Sequence, residues 1–189
     1  MHEGLNSRFF SLASAVILLM VAAVAAYLLA SGRVVDGGVL AGLVVLALLF
    51  MSQRKRLPAV FTLLFVMAGL ANSAGYLFEL WKTPFWFDEA VHFYTSFMVT
   101  AALGWLLFDR REWISGGGAG RFVASVAGLG IALGLLWEVF EWIIGIIGTP
   151  VDTAIDVVMD SFGAIAGGLF CAWARGRSSR RAAAPAPAS

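Results

Sequence analysis

The sequence predicts an all-α polytopic membrane protein, a bundle of six transmembrane helices with both termini in the cytoplasm. Three observations predict it. Hydrophobic residues make up 60% of the chain and charged ones only 13%, with a mean hydropathy of +0.87, far from the composition of a soluble domain. Apolar runs recur at lengths that cross a bilayer. Lys and Arg gather in alternate connections, as the positive-inside rule requires.

The runs fall at residues 9–30, 35–52, 58–80, 88–108, 122–147 and 153–174. The first follows Arg8 and invites comparison with a secretory signal. Its apolar stretch exceeds the usual signal core, so a retained helix is expected. The second is the shortest. Its uncharged part, 37–52, covers only about 24 Å at 1.5 Å per residue. The connections are short, so consecutive helices should pack as antiparallel neighbours in one domain spanning residues 1–174. Residues 175–189 begin basic and end AAAPAPAS, which predicts a disordered cytoplasmic tail able to touch anionic lipid.

With the N-terminus inside, the inner segments hold Arg8, Arg54, Lys55, Arg56, Arg110, Arg111, Arg121, Arg175, Arg177, Arg180 and Arg181, and only Arg33 and Lys82 lie outside. This bias accounts for the basic run RGRSSRR without a nucleic-acid partner. A bacterial-type plasma (inner) membrane and membrane lipids are the expected surroundings. The acids are distributed oppositely. Glu3, Asp109 and Glu112 fall inside, whereas Asp36, Glu79, Asp88, Glu89, Glu138, Glu141, Asp152, Asp156 and Asp160 fall toward the outer side. Such an excess requires counter-charge from bound cations, shared protons or a cationic substrate. Trp81, Trp86 and Trp142 are expected at the outer interface and Trp105, Trp113 and Trp173 at the inner one. Trp137 lies deeper, where it can wall a site.

The richest stretch is WEVFEWIIGIIGTPVDTAIDVVMD, from Trp137 to Asp160. An acid at mid-bilayer costs roughly 2.5 to 3.5 kcal/mol on insertion scales, and intramembrane acids mark function by default. Asp152, Asp156 and Asp160 recur every four residues, a stripe drifting about 80° over roughly 12 Å of the sixth helix. Glu138 and Glu141 share a face of the fifth. Asp88 and His92 share a face at the start of the fourth, while Glu89 points off that face and should be solvated. Three helices thus deliver acids and a histidine to one depth. Gly163 and Gly167, four residues apart, and Gly128, Gly130 and Gly134 permit close helix packing. Gly116 to Gly118 has no context for phosphate binding and reads as a flexible linker.

A short internal repeat aligns AGLANSAGYLFEL with AGLGIALGLLWEV, so Glu79 falls on Glu138. Each copy continues through a Thr-Pro turn (Thr83-Pro84, Thr149-Pro150) into a polar ladder. This implies tandem hairpins, 58–108 and 122–174, related by an axis along the membrane normal. The site would lie between them and include Glu79.

The single cysteine, Cys171, excludes an internal disulfide and any cysteine-based metal site. Carboxylates with one imidazole favour Mg²⁺, Mn²⁺ or Ca²⁺, with Zn²⁺ or Fe reachable through His92. A cation held there by Asp88, His92, Glu138, Glu141, Asp152, Asp156 and Asp160 can polarise a phosphoryl or carbonyl oxygen, with His92, Glu138 or Glu141 moving the proton. Without a metal, crowded carboxylates hold protons, as in a proton-coupled carrier.

The ordered set Asp88-xxx-His92-Phe93, Glu138-xx-Glu141-Trp142, Gly148-Thr149 and Asp152-xxx-Asp156-xxx-Asp160 resembles the YjdF-like family of inner-membrane proteins over about residues 80–170. More distantly the pattern is similar to the VanZ-like family, although the basic residue of that family's later motif is missing here. The second resemblance implies a role at the cell envelope. Together the residues point to a divalent-cation-dependent membrane enzyme or accessory factor acting on a lipid-linked or amphiphilic envelope precursor. The alternatives are a cation- or proton-coupled transporter and a structural or assembly subunit.

Overall fold

The computed structural model describes residues 8–82, 86–108, 110–146 and 149–183. Among them lie α1 (Arg8–Ala30), α2 (Val34–Ser52), α3 (Ala59–Phe78), α4 (Phe87–Leu107), α5 (Arg110–Ile144) and α6 (Pro150–Ala183), with a short 3-10 turn at Leu80–Lys82 and no strand. All six helices are long and apolar enough to cross a membrane, α5 over Gly118–Ile144 and α6 over Pro150–Gly176. The chain is an all-α polytopic membrane protein.

Local chemistry sets the boundaries. α1 stops at Gly32, whose φ of 84° is a left-handed conformation that glycine enters at little cost. The Arg33 amide then closes the turn onto the Leu28 carbonyl. Asp36 occupies the first turn of α2, where the helix dipole favours an acid, and pairs with Arg33 at 2.6 Å. With those residues helical, α2 reaches 19 residues, about 28 Å, close to a full span. Pro58 precedes α3, and Glu79 ends it with a φ of 51°.

The helices turn polarity inside out, as lipid demands. Along α6, Ile155, Val158, Phe162, Ile165 and Leu169 are exposed while Asp156, Asp160, Ala164 and Cys171 are buried. α1, α2 and α3 pack into one group and α4, α5 and α6 into another, joined mainly where α3 meets α4. Consecutive helices do neighbour one another, yet the largest interface joins α4 and α6, which run parallel. Glycine makes that approach: a Cβ on Gly163 would collide with the Phe93 carbonyl, and one on Gly167 would lie 2.6 Å from the Phe97 carbonyl.

One end of the bundle is basic and closed. The Trp105 indole donates to the Arg56 carbonyl at 2.8 Å, and Arg175 donates to the Trp105 carbonyl while lying over its ring. Above this belt the core is apolar, with Phe61, Met98, Ala101, Phe122 and Val126 almost fully buried. The opposite end carries the acids.

Four expectations are corrected. The Gly116 to Gly118 linker is a helix interrupted at one residue, Gly118 (φ 75°, ψ 170°). The tail expected to be disordered from residue 175 stays helical to Ala183, because Arg and Ala are strong helix formers and no proline intervenes. Trp81 is packed inward on Tyr76 and Phe87, with ring centroids 5.6 and 5.1 Å apart, in space left by Gly75; Trp86, Trp142 and Trp173 are exposed. Glu89 is half-buried, and its Oε2 is out of water's reach with no hydrogen-bond partner among the described residues. Its stretch of α4 continues toward Phe93, whose carbonyl lies against α6. Glu3, Thr83-Pro84, Asp109, Gly148 and the side chains of Glu112 and Trp113 lie outside the described residues.

Overpacking the α4–α6 seam should be costly. Gly163→Ala is expected to lower stability by about 1 to 3 kcal/mol, whereas Gly42→Ala, which meets nothing within 4 Å, should stay within about 0.5 kcal/mol. Denaturant unfolding in detergent reads both.

Candidate functional site

The structure gathers the intramembrane acids around one imidazole. His92 sits on α4 one turn beyond Asp88, and the parallel α6 brings Asp156 and Asp160 to the same height. Ser96 fixes that register by donating from Oγ to the Asp160 carbonyl at 2.8 Å. α5 supplies Glu138 from the third side. Gly134, one turn before it, leaves the space Asp160 fills: a Cβ there would lie 2.7 Å from Asp160 Oδ2.

The two ring nitrogens divide the carboxylates between them. His92 Nε2 lies 3.7 Å from Asp88 Oδ1 and 3.9 Å from Asp156 Oδ1. Nδ1 lies 3.5 Å from Asp160 Oδ1 and 3.8 Å from Glu138 Oε1. All four distances exceed an N–H···O hydrogen bond of roughly 2.7 to 3.2 Å. Burial is severe nonetheless, with Glu138, Asp156 and Asp160 each 5% exposed and His92 8%. Neither oxygen of Glu138 has a hydrogen-bond partner among the described residues. A buried carboxylate in that condition is costly unless something charged meets it.

Glu141 stands one turn toward the acidic end and accepts a 2.8 Å hydrogen bond from the Trp137 indole. Two groupings have ligand-type atoms within 4.8 Å of one another: Asp88, His92 and Asp156, and His92, Glu138 and Glu141. Cations bind oxygen and imidazole nitrogen at about 2.0 to 2.6 Å, so ligand atoms up to roughly 5 Å apart can share one. The residues fit a hard divalent cation.

Asp88, His92, Glu141, Asp156 and Asp160 line a cavity of about 550 Å³ between the two helix groups, and Glu138 is not among its lining residues. Its rim carries Arg33, Asp36, Glu79, Lys82 and Asp152. Asp152, expected among the ligands, is exposed at the start of α6, its amide bonded to Thr149 Oγ1, and like Asp160 it belongs to neither grouping. Glu79, which the repeat equates with Glu138, pairs at the rim with Lys82 at 2.9 Å; that hydrogen bond and charge hold its carboxyl below the ordinary value. The difference is conformational. Glu79 is the left-handed residue ending α3, whereas Glu138 is inside a continuous helix. Deeper in the cavity are Leu43, Leu46, Asn72, Thr95, Val99, Thr100 and Leu133, and the hydroxyls of Thr95 and Thr100 are buried without partners among the described residues. Apart from Asn72, these lining residues, like Tyr76 and Trp81, are apolar or singly polar and carry no spacing signal that would have found them.

Fold and site together define a multi-pass membrane protein with a buried histidine–carboxylate cluster. A family model described as "Predicted membrane protein (DUF2238)" matches residues 9–177. The chain belongs to that family, to which YjdF-like proteins also belong, so the resemblance seen in the acid pattern holds. No curated protein and no solved structure is detectably similar to it.

Removing the imidazole strands the acids around it. His92→Ala is expected to destabilise the fold by about 3 kcal/mol or more, as for a broken buried ion pair, while Asp152→Ala at the rim stays within about 0.5 kcal/mol. Equal effects in thermal unfolding would contradict the placement of His92 at the centre.

Proposed function

We propose that the cluster is a divalent-cation site, and that the protein is a cation-dependent membrane enzyme or accessory factor acting on a lipid or cell-envelope precursor. One observation carries this reading: the buried Glu138 carboxylate, with no hydrogen-bond partner for either oxygen, faces His92 and, through it, three more acids. The described basic side chains at this end, Arg33 and Lys82, are engaged by Asp36 and Glu79 at the rim. A metal ion supplies the missing charge and acts as a Lewis acid toward a phosphoryl or carbonyl oxygen.

The chain's own residues take distinct parts. Asp88, Asp156 and His92 through Nε2 would hold the cation, with Asp160 and Glu138 bearing on Nδ1 and so orienting the ring. Glu141, held by Trp137 and nearer the cavity mouth, is placed to take a proton from substrate. Oxygen donors with a single imidazole favour Mg²⁺, Mn²⁺ or Ca²⁺, and His92 brings Zn²⁺ or Fe within reach. A through-path for transport finds little support, because beyond Thr100 the bundle closes on Phe61, Ala101, Phe122 and Val126. The alternation of basic connections supports both termini in the cytoplasm of a bacterial-type inner membrane, with the acidic end outward. The VanZ-like resemblance favours an envelope precursor.

Elemental analysis of the purified protein tests the site. One equivalent of metal is expected in wild type, with loss of at least tenfold in affinity in Glu138→Gln and Asp156→Asn. Well-folded protein without metal after incubation with Mg²⁺, Mn²⁺, Ca²⁺ and Zn²⁺ would sink the reading.

A further inference from the structure

The cavity has two chemistries along its length, and its wall is incomplete on one side. At the acidic end are the His92 cluster and the ion-paired rim. Toward the middle of the bundle the lining turns aliphatic, with Leu43 and Leu46 on α2, Val99 on α4 and Leu133 on α5. α2 and α5 face each other across this part without forming an interface. They approach near the acidic end, where Trp137 and Ile144 pack on the cluster containing Leu28, Leu40 and Tyr76.

Below Trp137 the cavity walls run onto the outer surface. On α2, Leu46 is followed by the exposed Leu49, and Gly42 has nothing within 4 Å of a built Cβ. On α5, Leu133 is followed by the exposed Leu136. Leu43 is the middle residue of α2, and Leu133 lies near the middle of the Gly118–Ile144 span, so this side of the cavity meets hydrocarbon.

We propose that the substrate is a single-chain amphiphile with an oxyanion headgroup, a phosphoryl or carboxylate, which enters sideways between α2 and α5 and seats its headgroup on the cation held at His92. This rests on the cation-site reading and adds the occupant and its route. Cation and headgroup have complementary charge, the carboxylates alone would repel an anion, and Leu43, Leu46, Val99 and Leu133 accept a chain that remains in contact with the bilayer. The unpartnered hydroxyl of Thr95 lies beside the upper part of that chain, where a head-proximal oxygen of a lipid ester or ether would meet it.

Native mass spectrometry of the detergent-solubilised protein with Mn²⁺ and n-dodecyl phosphate reads metal and amphiphile in one spectrum. Wild type is expected to carry one Mn²⁺ and one dodecyl phosphate, the latter dependent on the metal, and to bind inorganic phosphate at least tenfold more weakly. Leu46→Trp and Leu133→Trp, made separately, should keep Mn²⁺, which shows that each is folded, and lose dodecyl phosphate affinity at least tenfold. Equal dodecyl phosphate binding by wild type and both variants overturns the sideways route. Mn²⁺ retention without dodecyl phosphate overturns the substrate class and leaves the cation site standing. Failure of wild type to take Mn²⁺ removes the cation reading and this inference with it. Metal-free protein that prefers dodecylammonium also overturns the proposal.

Discussion

Everything at the acidic end of the bundle depends on placing one imidazole among four carboxylates where water is scarce. Three of the acids and the ring itself are almost wholly buried. Separate acids in hydrocarbon would each cost kilocalories, whereas arranged around a shared ring their costs are offset together. The helices are disposed to make this possible. α4 and α6 run parallel at glycine-limited separation, Ser96 ties their register, and α5 offers Gly134 where Asp160 needs volume. The packing of the fold and the assembly of the site are therefore one set of contacts.

The two ends of the bundle do different work. Around Trp105, Arg56 and Arg175 the basic end is tied by hydrogen bonds to backbone carbonyls and by aromatic packing. The acidic end leaves an open space between the groups, roofed by Trp137 and rimmed by ion pairs. A rigid closed end and a hollow end suit a protein that holds a ligand within one half of the membrane rather than passing it through.

Much of the architecture was legible in the sequence because lipid imposes simple rules: spans must be apolar and about 20 residues long, and basic clusters mark alternate connections between them. The convergence of Asp88, His92, Glu138, Asp156 and Asp160 was also legible, since helical spacing fixes which residues share a face. What spacing cannot give is which helices touch and how deeply each residue sits. Asp152 continues the stripe of Asp156 yet lies at the rim, because it falls in the first turn of α6. Glu79 matches Glu138 in alignment, but the chain leaves the helix there. The aliphatic wall from Leu43 to Leu133 was invisible, since a leucine facing a cavity and a leucine facing lipid read alike. Glu89 shows the same limit, its side chain turned to a depth that its position beside Asp88 did not foretell.

The central claim is that His92 and its acids bind a metal directly. Pulsed EPR of Mn²⁺-loaded protein tests it most closely. Coupling of the bound Mn²⁺ to one imidazole nitrogen is expected, lost in His92→Gln while the fold persists. Bound Mn²⁺ with no imidazole coupling, or coupling that survives His92→Gln, would contradict it.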